Sequence, residues 1–571
     1  MEKLKNKEFD MKKLFRKIKN KINVFKINNK IKKHKFVHIM FNDKFNKPFV
    51  EFLNRSFNPK EHLVLCKRFF NEFPFPEGEN VIEIKSLKGL KFDSVKKIIC
   101  HSLFDNELVD YLYTHKEILK NKAYWMIWGG DLYNAPRDEK NDYVRRNFKG
   151  YISDVDGDCE IALKRYGSNS RTYNAGYTFP ITRKMIDNAK RVVAQFKTEN
   201  PIIIQINNSC DDSTLAILDD LSRFKDENIK ITTVLSYGKL KYKEQIIQKG
   251  KEIFGNKFNY LDKILSPGEY AIHLANVDIL ILNQNRQQGL GNSMAALNMG
   301  AKLFIRSEIT TFAHLNSKGC KVFDTNKIKD MIFNDFVCLD KATKELNEKN
   351  SEKFFSDLYL KSLWYSIFYD KEFNYWDDRA ERFGKRSVYN MTHSVNELQT
   401  VDVIQRNIYS EVLDKIISSK LDVAIDFGCG FGRFTGFLAE NYANKVYGID
   451  ATKKLIDIAL PHEKVEYIHL TGNKIPLKDN SISLVFISLV LGGITNQDDL
   501  INVVAELRRV AKPSAVFLIA ENTQKAPDSE YWHYRGADYY KKLFNFVDFV
   551  HETKYYDCGE EITVLLGTIS W

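Results

Sequence analysis

The chain has 571 residues and a formal net charge of +12, with 44% hydrophobic and 28% charged residues. This length exceeds what one hydrophobic core usually serves, so we expect more than one domain. No run of about 18 apolar residues occurs, which argues against a transmembrane helix. Eight cysteines without a Cys-x-x-Cys pair give no zinc-site spacing and favour free thiols in a reducing compartment.

Residues 1–35 carry nearly all of the surplus positive charge, a net +11, whereas the rest of the chain is close to neutral. Apolar residues in this arm fall on one helical stripe: Met11, Leu14, Phe15, Ile18, Ile22 and Phe25. A cationic amphipathic helix of this kind can lie in the headgroup layer of an anionic membrane. A solvated tail or a tail that touches nucleic acid is the alternative. The domain that follows favours the membrane.

From Lys35 onward, short β-rich runs alternate with helical patterns. The first set of predicted strands is Phe36–Phe41, His62–Cys66, Val81–Ile84, Lys97–Ser102 and a run from Ala123 into a glycine turn. The second set is Ile202–Asn207, Ile229–Tyr237, Phe258–Leu261, Val277–Asn283 and Ala301–Ile305. Two such sets predict an α/β fold with two Rossmann-like lobes, about 36–195 and 196–345, that face a cleft.

Four short segments in this region carry a resemblance. They are Trp128-Gly129-Gly130-Asp131-Leu132-Tyr133, Asn207 to Ser213, Tyr237-Gly238, and Arg286-Gln287-Gln288-Gly289-Leu290-Gly291. In order and spacing, residues 36–345 resemble the TDP-Fuc4NAc:lipid II Fuc4NAc transferases, glycosyltransferase family 56. The resemblance implies a GT-B pair of lobes, a nucleotide-sugar donor and a lipid-linked acceptor.

A sugar transferase without a metal must hold a nucleotide diphosphate with helix N-termini and fixed cations. Arg286 precedes two glycines and can pair with phosphate oxygens in a fork. We predict these nucleotide-sugar-binding residues, for a TDP- or UDP-linked donor: Asn208, Ser209, Ser213, Tyr237, Arg286, Gln288, Gly289, Gly291 and Asn292. No metal site is predicted.

The acceptor hydroxyl needs a base from the first lobe. Asp131 follows the Trp-Gly-Gly turn at the end of a strand, where ligands collect in such sheets, and is the first candidate. A plain helix N-cap is the alternative, because Asp is favoured there. His101 is a second candidate and Asp43 a weaker one, with packed structural residues as the alternative.

Residues 346–371 are predicted to be a linker to a third αβ region, 372–571. This region centres on Asp426-x-Gly428-x-Gly430-x-Gly432 between an apolar strand and a helix, and a second strand ends at Asp450. Alternating glycines allow close approach of a ligand, and a carboxylate at the second strand can bind ribose. The pattern resembles motif I of class I S-adenosylmethionine-dependent methyltransferases. The resemblance implies S-adenosylmethionine as cofactor, held by Asp426, Gly428, Gly430, Gly432, Asp450, Asn473 and Ser488.

Aromatic residues follow the fifth strand of this region, in the segment Tyr531-Trp532-His533-Tyr534-Arg535. His533 is the candidate base for methyl transfer, and an aromatic lid that packs on the substrate is the alternative.

Together these features predict a bifunctional enzyme of surface-glycan assembly. It would transfer a Fuc4NAc-like sugar to a polyprenyl-diphosphate-linked glycan and would also methylate a sugar. We expect it at the cytoplasmic face of the inner membrane, where the basic arm would bind anionic lipid. No nucleic acid is expected as a partner. The alternatives are a methyltransferase with a non-catalytic glycan-binding region, and a nucleic-acid methyltransferase.

Overall fold

The computed structural model describes residues 21–71, 73–197, 201–371, 373–472 and 474–570. The chain divides into two compact units, Met1–Glu372 and Phe373–Trp571. Both are α/β: the first unit is a GT-B-like pair of Rossmann-like lobes, and the second is a Rossmann-like domain of the class I methyltransferase type. No helix of the described residues has the length and apolarity that crossing a membrane requires.

The first lobe is built on a seven-stranded sheet in the order β3-β2-β1-β4-β5-β6-β7, with parallel neighbours throughout. Its strands are β1 Phe36–Phe41, β2 His62–Lys67, β3 Val81–Glu83, β4 Lys97–His101, β5 Ala123–Met126, β6 Gly150–Ser153 and β7 Arg171–Asn174. Its helices are α1, described over 21–31, α2 Asn46–Ser56, α3 Asn106–Thr114, α4 Lys116–Lys122, α5 Gly130–Tyr133, α6 Glu139–Arg146 and α7 Asp156–Tyr166. Strand order reverses between β1 and β4, which opens a crevice at their carboxyl ends.

The second lobe has six parallel strands in the order β10-β9-β8-β11-β12-β13. They are β8 Ile202–Ile206, β9 Ile229–Val234, β10 Phe258–Leu261, β11 Ile279–Leu282, β12 Lys302–Ile305 and β13 Phe323–Asp324. The helices of this part of the unit are α8 Arg183–Val193, α9 Ser213–Leu221, α10 Lys243–Phe254, α11 Pro267–Ala275, α12 Leu290–Asn298, α13 Thr310–Ser317, α14 Phe333–Val337, α15 Lys341–Glu352 and α16 Asp357–Tyr369.

Three predicted boundaries differ from this structure. Helix α8 packs with α11 of the second lobe, so the first lobe ends before residue 183 and not near 195. The predicted linker 346–371 is instead helical, because α16 buries Trp364, Ile367 and Phe368 in the core of the first lobe. The described end of the basic arm also joins that lobe, since Ile27 and Ile31 are buried in its core. Residues 1–20 lie outside the described residues.

The second unit holds a seven-stranded sheet in the order β16-β15-β14-β17-β18-β20-β19. The strands are β14 Leu421–Phe427, β15 Ala443–Asp450, β16 Val465–His469, β17 Ile482–Ser488, β18 Ala511–Asn522, β19 Val547–Asp557 and β20 Glu560–Ile569. Strand β20 is antiparallel to both of its neighbours, β18 and β19. The helices are α17 Tyr375–Phe383, α18 Leu398–Leu413, α19 Thr435–Asn441, α20 Lys453–Asp457, α21 Gln497–Val510 and α22 Ala537–Leu543. Strand order reverses between β14 and β17, which places a crevice beside the glycine turn.

Candidate functional sites

In the second lobe, the predicted nucleotide-sugar residues follow the carboxyl ends of β8, β9 and β11, the edge at which parallel sheets bind ligands. The amide oxygen of Asn208 accepts from Nε2 of Gln284 at 2.8 Å and from Nε2 of Gln288 at 3.3 Å. The same Gln288 nitrogen donates to Oγ of Ser209 at 2.7 Å. Helix α12 begins beside them at Leu290, after Gly289 in the left-handed region (φ +76°). The structure therefore brings together Asn208, Ser209, Gln288 and Gly289.

Arg286 is half-buried on the same edge, and within the described residues it forms no salt bridge. Burial lowers the pKa of its guanidinium, and the charges of Asp211, Tyr133 and Asp158 oppose that shift. Tyr133 and Asp158 belong to the first lobe, so Arg286 stands where the two lobes meet. A desolvated guanidinium without a carboxylate partner suits a phosphate oxygen pair.

Two other predicted donor-site residues have internal partners. Oγ of Ser213 accepts from Nδ2 of Asn207 at 3.1 Å, and Nδ2 of Asn292 donates to the hydroxyl of Tyr270 at 3.3 Å. Gly291 lies against the ring of Phe179. The backbone oxygen of Tyr237 accepts from the N–H of Cys210, and its ring lies 5.2 Å from Nζ of Lys44 in the first lobe. Tyr237 thus reaches the cleft, whereas Ser213 supports the turn behind it.

Asp131 is 2% exposed, and its carboxylate is fully engaged with the turn that surrounds it. One oxygen accepts from Nε1 of Trp125 at 2.7 Å and from the N–H of Leu103 at 2.9 Å, and the other accepts from the N–H of Trp128 at 2.8 Å. Burial raises the pKa of this carboxyl, and these three donors oppose the shift. The prediction of a catalytic base is therefore replaced by a structural role: Asp131 holds the Trp128-Gly129-Gly130 turn.

His101 is also buried and belongs to a chain of hydrogen bonds in the sheet. Nε1 of Trp128 donates to the hydroxyl of Tyr177 at 2.7 Å, and this hydroxyl lies 2.5 Å from Nδ1 of His101. Nε2 of His101 lies 3.0 Å from Nδ1 of His38, whose Nε2 lies 3.2 Å from Nδ1 of His62. Burial lowers the pKa of all three histidines, that of His38 to about 3.

The donor-to-acceptor direction of this chain of hydrogen bonds follows from its first donor, Trp128. An indole nitrogen only donates, so the hydroxyl hydrogen of Tyr177 is left to point at His101. Each histidine then donates from Nε2 to the next, and the chain ends at Nε2 of His62, which has no partner among the described residues. His101 is 1% exposed and both of its ring nitrogens have partners in this network, so the prediction that His101 is a base is corrected. Tyr177 is the residue that sequence reasoning missed. Asp43, the weaker candidate, caps the N–H of Phe45 at 2.7 Å.

Aromatic side chains surround the carboxyl edge of the first lobe. Phe41 lies 5.0 Å from Phe69 in a stacked pair, and its ring also meets those of Phe70, Phe104 and Trp128. Phe69, Phe70 and Phe104 are 47%, 38% and 50% exposed. A Cβ on Gly130 would lie 2.9 Å from the ring of Phe104, which places these exposed rings at the Trp-Gly-Gly-Asp turn. We call Phe69, Phe70 and Phe104 the aromatic rim.

The second unit contains a cavity of about 790 Å³ at the carboxyl ends of β14, β15 and β17. Asp426, Gly428, Gly430, Asp450 and Ser488 line it, as predicted cofactor residues. Asn473 lies outside the described residues. Gly432 stands beside the hydroxyl of Tyr467. The sequence prediction therefore places five of its seven residues on one wall.

The residues of this wall fit S-adenosylmethionine. Gly428, Gly430 and Gly432 all have left-handed φ angles, of +74°, +58° and +89°. A Cβ on Gly430 would lie 2.8 Å from the side chain of Val388. Asp450 ends β15 and accepts from the N–H of Gly430 at 2.8 Å and the N–H of Thr452 at 2.7 Å, one bond to each oxygen. Each carboxylate oxygen keeps a lone pair for a ribose hydroxyl. Bound there, the cofactor would supply the methyl group.

Asp426 is fully buried at the start of the glycine turn and accepts from Oγ1 of Thr435 at 2.6 Å. Burial raises the pKa of its carboxyl to about 7. At the end of β17, Oγ of Ser488 lies 2.8 Å from the hydroxyl of Tyr409, which in turn lies 3.1 Å from that of Tyr555. This hydroxyl network was not predicted, because its members are far apart in the sequence.

Two tryptophans close over the cavity against the paired glycines after β17. A Cβ on Gly493 would lie 3.0 Å from the ring of Trp376, and one on Gly492 would collide with the ring of Trp532. Tyr375 and Tyr531 stack beside them, with ring centroids 4.1 Å apart. Helix α17 and residues 531–532 thus form an aromatic cover.

His533 does not match its predicted role as a base. The wall includes Tyr531, Trp532 and Tyr534 but, over the described residues, not His533. Its N–H donates to the backbone oxygen of Gly492 at 2.8 Å, and its Nδ1 lies 3.4 Å from Arg535. The prediction is corrected: among residues 531–534, His533 is the one that does not line the cavity, and its backbone is held by Gly492.

Polar groups at the far end of the cavity were also not predicted. Asp557 and Glu560 line it, and Oε2 of Glu560 accepts from Nδ2 of Asn522 at 2.8 Å. His393 and Cys558 lie next to Asp557, with possible ligand atoms within 4.8 Å of one another. The Asp557 oxygen and the Cys558 sulfur both lie nearest Nε2 of His393, at 2.5 and 3.3 Å. A Cys-His-Asp relay needs opposite ring nitrogens, so the contacts in this cluster do not form such a relay.

Comparisons with known proteins match both units. Residues 425–519 match the family described as a methyltransferase domain. The chain is 30% identical over 122 residues to demethylmenaquinone methyltransferase from Geobacillus stearothermophilus. This alignment covers 20% of this chain and 51% of that protein. The corresponding Bacillus cereus protein is 30% identical over 109 residues, 18% of this chain and 45% of that protein. The chain thus spans about half the length of these curated relatives.

Solved structures are similar over the methyltransferase region. A SAM dependent methyltransferase from Aquifex aeolicus is 22% identical, covers 28% of this chain and 89% of that chain, and has a TM-score of 0.24. An S-adenosylmethionine dependent methyltransferase from Mesorhizobium loti is 16% identical, covers 28% of this chain and 96% of that chain, and also has a TM-score of 0.24.

Residues 74–370 match the family described as 4-alpha-L-fucosyltransferase, glycosyl transferase group 56. The match includes helix α16, in agreement with its place in the core of the first lobe. It covers more than half of the chain. The protein therefore belongs to glycosyl transferase group 56 and carries a methyltransferase domain after its transferase lobes.

Proposed function

We propose that this enzyme transfers a Fuc4NAc-like deoxyamino sugar from a TDP- or UDP-linked donor to a polyprenyl-diphosphate-linked glycan, and methylates a sugar of the same product with S-adenosylmethionine. The observation that carries the transferase half is Arg286: a half-buried guanidinium without a salt bridge in the described part of the chain, beside the start of α12. Such a cation can stabilise the departing diphosphate.

The aromatic rim supports a lipid-linked acceptor. Three phenylalanines are about half-exposed next to the Trp-Gly-Gly-Asp turn, where the acceptor would enter. Exposed apolar surface of this kind suits an isoprenoid chain or the acyl region of a membrane. In the arm, Ile22 and Phe25 are 52% and 66% exposed while Ile27 and Ile31 are buried. The exposed pair would continue the predicted membrane-facing stripe, at the cytoplasmic face of the inner membrane.

For methyl transfer, the chain would supply position rather than reactive groups. The aromatic cover over the cavity can stack on a sugar ring, and Asn522 and Glu560 can accept or donate hydrogen bonds to its polar groups. The curated relatives methylate demethylmenaquinone according to their names, and an aromatic wall also suits such a ring. A quinone is therefore the competing acceptor in the test.

Product analysis tests both halves. The full chain is incubated with a polyprenyl-diphosphate-linked glycan, demethylmenaquinone, candidate TDP- and UDP-sugars and methyl-labelled S-adenosylmethionine, and products are resolved by mass spectrometry. We expect a glycan that gains both a deoxyamino sugar and the label. Label in demethylmenaquinone but in no glycan would exclude the sugar methylation, and no sugar transfer from any donor would exclude the transferase half.

A paired variant tests the lipid-linked acceptor. Phe69→Ser with Phe104→Ser removes exposed apolar rings without touching the donor side of the cleft. We expect KM for the lipid-linked acceptor to rise about tenfold or more, with little change for a short water-soluble analogue. Equal effects on both acceptors would contradict recognition of the lipid. Binding to RNA, but not to anionic vesicles, would instead favour the nucleic-acid alternative.

A further inference from the structure

A second cavity in the first unit lies far from the cleft. Its volume is about 780 Å³, and it opens where β1, β4, β5 and β7 begin, at the amino edge of the first sheet. The cleft lies at the carboxyl edge of the same sheet, about 15–20 Å away along strands of four to six residues. We call this cavity the amino-edge pocket. Its cationic lining residues are Lys35, Lys96, Lys97, Lys122, Lys149 and Arg171.

The charge of this lining is unbalanced. Asp370 is the one carboxylate among its described lining residues, against six cations, of which Lys35 also forms a salt bridge with Glu61 outside the lining. That carboxylate is committed to Lys97, whose Nζ donates to Asp370 at 2.7 Å and to the backbone oxygen of Ile367 at 2.5 Å. Lys96, Lys122, Lys149 and Arg171 form no salt bridge with any described residue. Cations gathered in a concave, low-dielectric site attract anions strongly, because the walls focus their field.

Aromatic rings fix part of this charge in place. The guanidinium of Arg171 lies 5.0 Å from the centre of the Tyr173 ring, and Nζ of Lys97 lies 5.3 Å from the centre of the Tyr124 ring. Such contacts hold a cation over a ring face and restrict its rotamers. The pocket is therefore partly pre-organised for an anion, whereas lysines on an open surface would first have to be ordered.

The pocket also continues the charge of the basic arm. Lys35 is the last residue of that arm, whose 35 residues carry a net charge of +11. Lys35 lines the pocket, and the arm's described helix α1 is buried in the same lobe through Ile27 and Ile31. The described part of the arm, residues 21–35, holds six lysines and no acidic residue, so it adds positive charge to the chain segment that leads to the pocket.

We propose that the amino-edge pocket binds a phosphate or diphosphate group, as an anion site separate from the nucleotide cleft. Two sources share this chemistry: a soluble phosphate compound and the headgroup of an anionic lipid. The site does not depend on sugar transfer, because its residues lie at the opposite ends of the strands.

Calorimetric titration with inorganic pyrophosphate tests the site in the full chain. The variant Lys149→Gln with Arg171→Gln removes two cations that lack salt bridges in the described structure. The matched control, Lys341→Gln with Lys349→Gln, removes the same charge from the exposed face of α15. We expect pyrophosphate affinity to fall about tenfold or more in the pocket variant and to stay within about twofold in the control. Circular dichroism checks that both variants fold.

Sedimentation with vesicles separates the two sources. Vesicles of phosphatidylcholine with phosphatidylglycerol should retain the pocket variant less than the control if a lipid headgroup is the ligand. If vesicles retain the pocket variant and the control equally while the pocket variant binds pyrophosphate more weakly, the ligand is a soluble phosphate compound. If neither pyrophosphate affinity nor vesicle retention distinguishes the pocket variant from the control, the proposal is wrong. Arg286→Ala reports on the cleft in the same titration, so failure of the proposed sugar transfer is seen separately.

Discussion

A Cβ placed on Gly129 would lie 2.6 Å from Oε1 of Gln287. Gly129 belongs to the Trp-Gly-Gly-Asp turn of the first lobe, and Gln287 to the Arg-Gln-Gln-Gly segment of the second lobe. Two segments more than 150 residues apart in the sequence therefore meet across the cleft. Their contact depends on the absence of a side chain at position 129.

Gly129→Ala should lower sugar transfer more than tenfold. The added methyl group would push Gln287, and with it the Arg286 segment, away from the turn. Gly129 also has a φ of +77°, which costs a residue with a side chain about 1 kcal/mol. Gly167→Ala is the matched control, because its φ is +59° and nothing lies within 4 Å of its added Cβ. If both variants retain full transfer activity, the contact across the cleft is not functional.

Arg286→Lys should lower transfer about tenfold, and Arg286→Ala about a hundredfold or more. Lysine keeps a positive charge but loses the fork that pairs with two phosphate oxygens. Initial rates with saturating acceptor measure the effect. Arg306→Ala serves as control, since Arg306 pairs with the exposed Glu308 elsewhere in the same lobe. An Arg286→Ala enzyme with normal rates would remove this residue from the donor site.

Asp450→Ala should weaken binding of S-adenosylmethionine by about ten- to a hundredfold and leave sugar transfer unchanged. The substitution removes the acceptor for ribose hydroxyls and releases the N–H of Gly430 from its 2.8 Å bond. Calorimetric titration measures the affinity. Asp457→Ala is the control, because that carboxylate is exposed and pairs only with Lys453 among the described residues. Unchanged cofactor affinity in Asp450→Ala would contradict the assigned site.

Acid should destabilise the first unit through its three buried histidines. Their pKa values lie below that of a free histidine, so the unfolded chain binds protons below about pH 6.5 that the folded chain rejects. Stability is thus present above that pH and is lost as the pH falls towards 3. His38→Gln should reduce the slope of unfolding free energy against pH by up to about 1.4 kcal/mol per pH unit. The exposed His115→Gln is the control, and an unaltered slope in His38→Gln would contradict this.

A rise in pH, rather than a fall, should destabilise the second unit through Asp426. Burial raises the pKa of its carboxyl from 3.8 to about 7, so the folded chain keeps a proton that the unfolded chain loses. Stability is greatest below about pH 4 for this group and is lost as the pH rises to 7. Asp426→Asn should reduce this loss of stability at rising pH. Urea unfolding of the full chain measures it, with spectroscopic signals from the second unit as the readout. A loss of the same size in the variant would show that Asp426 is ionised in the folded protein.

Sequence patterns predicted the buried strands well and the exposed ones poorly. Phe36–Phe41 matches the structure at both ends, because it is a mostly apolar run that is buried along its whole length. Strand β7, Arg171–Asn174, was not predicted, since its polar side chains are exposed at the sheet edge. Residues 511–513 are the first part of β18, where pairing with β17 overrides the local Pro513 signal.

Motif spacing brought predicted site residues together better than it assigned roles to them. Gly428, Gly430 and Asp450 line the predicted cavity because their positions are fixed by the strands and the turn that contain them. Asp131 and His533 were assigned as bases from their place in the sequence, but the direction of a side chain depends on tertiary neighbours such as Trp125 and Gly492. Tyr177 had no local signal, since its partners His101 and Trp128 come from distant segments.

Calorimetry with crossed variants tests the central claim most directly, namely that one chain holds two separate nucleotide-binding cavities. The full chain is titrated with S-adenosylmethionine and with TDP- and UDP-sugars, and the titrations are repeated on Arg286→Ala and Asp450→Ala. We predict that the first variant loses only the sugar nucleotide and the second only S-adenosylmethionine. Absence of heat with either ligand in the unaltered protein, or loss of both ligands in each single variant, would contradict the account.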